Sequence, residues 1–412
     1  MNRDPEQTTR AQRFDTRAVH AGEKRPSCES PNGGASYYPV STPIFASTTF
    51  SHDDIGTTDR ILGGEEPGYS YARYDNPTVR AFEEALASLE GTGRHRAFAF
   101  ASGMAAMHAA LLSAELTNGA TVLAAEQLYG STATLLVQIF APMGVEVHFV
   151  DCYDFEAVER KLEDLRPRAL VVESISNPLM RVADVPRLAE ATGTTGTALV
   201  VDNTFGTPYL QRPLEMGADV VVHSATKYLS GHGDLTAGAV AAGPPYDAAL
   251  ESVRKLVGGV LAPFEAWLAL RGLKTLSLRM QRQCANAREL AVRLMDHPKV
   301  EAVNHPALGG HPDTEVSGRV LADTGGLLSF ELADGDRDAA FRFLNALRLC
   351  VRAPSLGDIY TIAIHPATSS HRELSPSRRE RLGVKEGLIR LSCGIEDVED
   401  LYEDLDGALA AI

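Results

Sequence analysis

The sequence predicts an α/β protein: a mostly parallel central sheet followed by a smaller α+β carboxy-terminal domain. Three observations predict it. Short apolar runs, "GATVLAAE", "VEVHFVD", "RALVVES", "ALVVDN" and "ADVVVHS", are separated by helical stretches such as "DFEAVERKLED". These runs are apolar on both faces, so they read as strands covered on both sides of a sheet. After about residue 262 the pattern changes to long helical periodicity, then to shorter strand-like and helical pieces.

In chain order, residues 1–75 carry many turn residues and little helical periodicity. A stretch of that length without its own core must lie across another surface or be disordered. Its aromatics (Tyr37, Tyr38, Phe45, Phe50, Tyr69, Tyr71 and Tyr74) favour an arm packed on a neighbouring domain or subunit. A self-contained irregular cap is the alternative. Residues 76–262 form the large domain. There "TVRAFEEALASLEG" has helical spacing and a glycine stop, and "AFAFASGMAAMHAALLSA" joins a short strand to a helix. Residues 263–412 form the carboxy-terminal domain. It opens with one or two long helices over "APFEAWLALRGLKTLSLRMQRQCANARELAVRLMDH" and continues through "GGLLSFEL", "RDAAFRFLNALRL" and "GLIRLSCGIED".

Composition limits the function classes. Thirty-nine Lys and Arg against 54 Asp and Glu give a net charge of −15, which argues against nucleic acid or an anionic membrane as the main partner. The cysteines are scattered, with no CxxC pair and no zinc spacing, and read as reduced thiols in a cytoplasmic protein without a metal. No apolar segment reaches membrane-spanning length, and the polar start lacks the apolar centre of a signal peptide.

Residues just past the carboxyl ends of parallel strands are the expected site residues. That rule places "SGM", "ESISNP", "DNTF" and "SATK" on one rim. Ser102 and Gly103 follow a strand and open a helix, leaving N–H groups for an anion, although many α/β proteins carry such a turn. Asp202 ends a buried strand; it either caps the next helix or holds a protonated ring nitrogen. In "HSATKYLSGHGD", Lys227 is either a snorkelling surface residue or a covalent attachment point, with Ser224 and Thr226 offering hydroxyls beside it. A lysine for an aldehyde, a carboxylate for a pyridinium and donors for a phosphate are together what pyridoxal 5′-phosphate requires.

The motifs "YSYARYDNPT", "ASGMAA", "LYGST", "ESISNP", "VVDNTFGTPYLQRPLEMGADVVVHSATKYLSGHGD", "SLGD", "IHPATSSH" and "LIRLSCGIED" resemble the pyridoxal-phosphate enzymes of cysteine and methionine metabolism. That family includes cystathionine γ-synthase, cystathionine γ-lyase, methionine γ-lyase and the homoserine-ester sulfhydrylases. The resemblance implies the aspartate-aminotransferase-like fold (fold type I). It makes Lys227 the attachment lysine and proton carrier, and Asp202 the partner of the pyridine nitrogen. Gly103, Met104, Ser224 and Thr226 would hold the phosphate. Tyr129 would stack on the ring and assist protons at the γ position, and Asn177 would stand near the ring hydroxyl, with a plain turn before Pro178 as its alternative. Tyr71 and Arg73 match a pair that reaches the phosphate of the neighbouring subunit, so a homodimer would be the smallest active unit and a homotetramer the usual assembly. Arg390, an arginine inside a strand-like run, wants a buried anion; the resemblance makes that anion the substrate α-carboxylate, with Ser355 as a second contact.

Two positions depart from the relatives. Ser131 stands where methionine γ-lyases place a cysteine. Tyr360 stands where a glutamate often follows the "SLG" segment, which weakens cystathionine as the substrate; with Phe45 and Tyr71 it is a candidate to shape the substrate pocket. The expected reaction is γ-elimination from an L-amino acid, giving 2-oxobutanoate and ammonia. Replacement of the γ substituent by a thiol or another nucleophile is the alternative.

Overall fold

A computed structural model describes residues 12–30, 34–91, 93 and 95–412. Residues 1–11 and 31–33 of the expected amino-terminal arm lie outside the described residues. The first sheet has seven strands: β1 (Arg96–Phe100), β2 (Thr121–Ala125), β3 (Glu146–Val150), β4 (Ala169–Glu173), β5 (Ala198–Asp202), β6 (Val220–His223) and β7 (Gly238–Ala242). Their order is β1-β7-β6-β5-β4-β2-β3. Pairing is parallel from β6 across to β3, while β7 runs antiparallel to both β1 and β6. The sheet is therefore mixed, with one reversed strand. That strand, "GAVAA", is built of small residues whose weak β-propensity hides it from a reading of apolar runs.

Strands β4, β5 and β6 are near-continuous Val and Leu, which suits a sheet covered by helices on both faces. The helix Pro77–Glu90 covers part of it. Asn76 caps that helix by accepting from the N–H groups of Thr78 and Val79, and Pro77 takes the first turn, where no N–H donor is needed.

The second sheet comprises β8 (Val300–Asn304), β9 (Leu327–Leu332), β10 (Val351–Arg352), β11 (Ile362–Ile364) and β12 (Leu388–Ser392), in the order β10-β11-β12-β9-β8. The long helical stretch resolves into two helices, Pro263–Leu273 and Leu276–Met295. The second one serves both cores. Leu276, Met280 and Cys284 pack with the large sheet, and Ala287, Leu290, Ala291 and Leu294 pack with the small one.

The stretch before residue 76 is less irregular than its composition suggests, with short helices at Phe14–His20 and Ile55–Leu62. The Asp54 side chain caps the latter by accepting from Thr57 N–H. The segment is also tied to its own chain. Phe45 N–H donates to Thr78 Oγ1 at 2.9 Å, and Trp267 Nε1 donates to the Thr42 carbonyl at 3.1 Å. Tyr37, Tyr38 and Val40 face outward.

Candidate active site

The carboxyl ends of β1, β2, β4, β5 and β6 open on one edge of the large sheet and meet the loops before β11 across a cavity of about 380 Å³. Gly103, Met104, Tyr129, Asn177, Asp202, Ser224, Thr226, Lys227, Ser355 and Arg390 all line it. Residues far apart in sequence thus share one wall because these five strands run the same way and end at one edge.

At the end of β1, Ser102 caps the helix Gly103–Ser113 by accepting from Ala105 N–H. The Ala106 N–H is taken by the Ser102 carbonyl, which leaves the first-turn N–H groups of Gly103 and Met104 for an anion. Glycine is needed here: a Cβ on Gly103 would stand 2.8 Å from the Cβ of Ser224. Ser224 is held by its N–H donating to Thr204 Oγ1 at 2.8 Å. The Thr226 hydroxyl exchanges bonds with the backbone of Ala237.

Asp202 accepts from Thr204 N–H at 3.0 Å. Burial raises its carboxyl above the usual range, and the bonds from Thr204 and the charge of His223 oppose that shift. Lys227 donates from Nζ to Ser355 Oγ at 3.1 Å. Burial, then the Arg390 guanidinium, hold its amine below the ordinary lysine value, against the pull of Asp358. The "SLG" loop closes tightly on this segment. Gly357 has φ +80°, and a Cβ there would meet the backbone nitrogen of Tyr228 at 2.6 Å.

Arg390 lies mid-strand in β12, 3% exposed. Its Nη1 donates to Asn177 Oδ1 and its Nη2 to the Ser355 carbonyl, both at 2.9 Å. Its Nε has no partner, and no carboxylate pairs with it among the described residues. Burial lowers its pKa to about 10. A buried guanidinium met only by neutral acceptors is an incomplete ion pair, and an anion would complete it.

Four expected residues, Phe45, Tyr71, Arg73 and Tyr360, are not among those that line this cavity. Tyr360 is 52% exposed on the loop before β11. Tyr71 bridges to Thr49, and Arg73 packs over the Tyr71 and Tyr74 rings while donating to the Lys255 carbonyl. Thr132, Ser369 and Ser370 also line the cavity, as do Glu173, Thr204 and Phe205, which belong to the rim segments "ESISNP" and "DNTF" without being singled out in them. Glu173 had a signal, because "ALVVE" repeats the pattern of "ALVVD" one strand away.

The family model of the Cys/Met metabolism PLP-dependent enzymes matches residues 15–410. The chain belongs to that family. It is 41% identical over 400 residues to an L-methionine gamma-lyase of Pseudomonas putida, covering 97% of both chains. It is 40% identical to an O-succinylhomoserine sulfhydrylase of Pseudomonas aeruginosa, covering 97% of this chain and 96% of that one. The crystal structure of a cystathionine gamma-lyase from Lactobacillus plantarum, complexed with L-serine, matches with TM-score 0.87 at 32% identity over 97% of this chain and 99% of that one. The fold is accordingly type I, aspartate-aminotransferase-like, and the chain is an enzyme of a PLP-dependent family with lyase and transferase members.

The residues present fit that family's cofactor. The cavity offers an amine at Lys227 and a buried carboxyl at Asp202. The same cavity holds an anion cradle that tolerates no side chain at Gly103, against Ser224. Among the described residues no helix is long and apolar enough to cross a membrane.

Proposed function

We propose that this enzyme binds pyridoxal 5′-phosphate at Lys227 and eliminates the γ substituent of an L-amino acid, releasing a 2-oxobutanoate-type acid and ammonia. One observation carries the reading: the buried, anion-free guanidinium of Arg390 shares a cavity with the Lys227 amine and the Asp202 carboxyl. When bound, the cofactor supplies an electron sink that acidifies the protons next to the substrate amine. Arg390 binds the α-carboxylate, and Ser355 orients both ends of that contact through its carbonyl to Arg390 and its hydroxyl to Lys227.

The lowered proton affinity of Lys227 suits an amine that takes a proton from the α carbon and returns it elsewhere. Asp202 holds the ring-nitrogen proton. Gly103, Met104, Ser224 and Thr226 hold the phosphate, Tyr129 stacks on the ring and serves protons at the γ position, and Asn177 stands at the ring hydroxyl. Tyr71 and Arg73, off their own chain's cavity, reach the phosphate of a neighbouring subunit. In this reading residues 1–75 form the exchanged arm, 76–262 the cofactor domain and 263–412 the carboxy-terminal domain. A homodimer is the smallest active unit, a homotetramer the assembly, and the cytoplasm the compartment.

Replacement of the γ substituent by a thiol is the second reading, favoured by the 40% identity to a sulfhydrylase. Both reactions use the same wall. Mass spectrometry of products from L-methionine, L-cystathionine, O-acetyl- and O-succinyl-homoserine, each with and without thiol, separates them. Oxobutanoate that dominates with thiol present supports elimination; a thioether formed at its expense supports replacement.

A further inference from the structure

Glu173 ends β4 directly beside Asp202, which ends β5 in register with it. Register neighbours in a parallel sheet project to the same face, so two carboxyl groups stand together at the cavity. Glu173 is buried and lines the cavity. Its Oε1 accepts the backbone N–H of Tyr129 at 2.6 Å, and its Oε2 has no protein partner.

We propose that Glu173 is the positioning residue that fixes Tyr129, on the loop after β2, against the cofactor face. The inference rests on the cofactor reading above. Tyr129 begins the short helix Gly130–Leu135 with no side-chain cap, and the Glu173 carboxyl accepts its N–H, the bond that the acid of a capping box makes to an N-cap residue. The anchor spans two strands' ends, since Glu173 closes β4 and Tyr129 follows β2.

Burial, then the Asp202 charge, push the Glu173 carboxyl well above its usual range, and the bond from Tyr129 N–H opposes the shift. The geometry asks for an acceptor within hydrogen-bond reach of the Tyr129 nitrogen, which it meets at 2.6 Å.

The test uses the cofactor-free protein reconstituted with pyridoxal phosphate. Equilibrium affinity and visible circular dichroism of the bound cofactor are read for wild type, Glu173→Gln, Glu173→Ala and Glu173→Asp. Glu173→Gln keeps the acceptor and should stay within about threefold of wild-type affinity, whereas Glu173→Ala and the shorter Glu173→Asp should lose roughly tenfold and most of the circular dichroism signal. Unchanged affinity and dichroism in Glu173→Ala would overturn the proposal. So would a Glu173→Gln variant as impaired as Glu173→Ala, since charge would then be the requirement. If Glu173→Ala does not fold, the contrast of Gln with Asp decides alone. A wild-type chain that takes up no pyridoxal phosphate would overturn the cofactor reading and this proposal together.

Discussion

Arg390 is the residue whose surroundings ask most plainly for a missing charge. Asn177 and Ser355 satisfy two of its donors with neutral oxygens, and Nε stays free. Replacing it by Ala removes a charged donor pair, and charge-assisted hydrogen bonds of about 1.5–3 kcal/mol correspond to a rise in KM of roughly ten- to a hundredfold. Arg390→Lys should recover only part of that, because an ammonium lacks the planar fork. Initial-rate kinetics with saturating cofactor check both; an unchanged KM in Arg390→Ala would place the carboxylate elsewhere. At this scale Lys227, Asp202 and Arg390 were legible from the sequence. Asp202 ends a strand, Arg390 lies inside an apolar run and Lys227 follows one by four residues, places where a charged side chain is costly unless used. Glu173 was not legible, because a strand-terminal acid before "SISNP" reads equally well as turn chemistry.

At the scale of elements, the cap of Pro77–Glu90 does two things. Asn76 Oδ1 accepts from the helix N-terminus, while its Nδ2 donates to the Phe45 carbonyl at 2.8 Å. Asn76→Ala should therefore cost about 1–2 kcal/mol, at the upper end for a cap because the arm contact goes with it. Asn76→Asp, which restores only the cap, should recover part. Urea midpoints of the three proteins check this, and an Asn76→Ala midpoint equal to wild type would contradict it. Elements with strong periodicity were legible. The Val-rich strands β4, β5 and β6 and the helices Pro77–Glu90 and Gly103–Ser113 follow from residue pattern alone. Two kinds were hidden: β7, whose glycine and alanines carry little strand signal, and the helix Phe14–His20, whose 7 residues are too few for a period. The latter is held by packing against Pro77–Glu90, with Ala18 in the common core.

For the whole molecule, the acid limb of stability follows from two buried histidines. Burial lowers His305 and His371 from 6.5 to about 4, with the Arg390 charge adding to the shift at His371. Unfolded, both imidazoles bind protons below 6.5; folded, they stay neutral until about 4. Across that window the unfolded chain holds more protons, so stability falls as pH falls, by up to about 1.4 kcal/mol per pH unit for each histidine. Above it neither contributes to the slope. Unfolding midpoints measured across the window should decline with acid, and His305→Asn should flatten the decline; an unaltered slope in that variant would remove His305 from the explanation. The overall architecture was legible because strand ends, helical spacers and the change of pattern near residue 262 all point to one fold class. The exposure of Tyr360 was not, since a sequence carries no record of which surface a loop finally faces.

The helix Leu276–Met295 gives the molecule a particular kind of resilience. Its first half is built into one core and its second half into the other, so one continuous rod runs through both lobes. A local opening that exposed the small sheet would strip the end of the same rod that supports the large one. Wear at either lobe is therefore shared with the other.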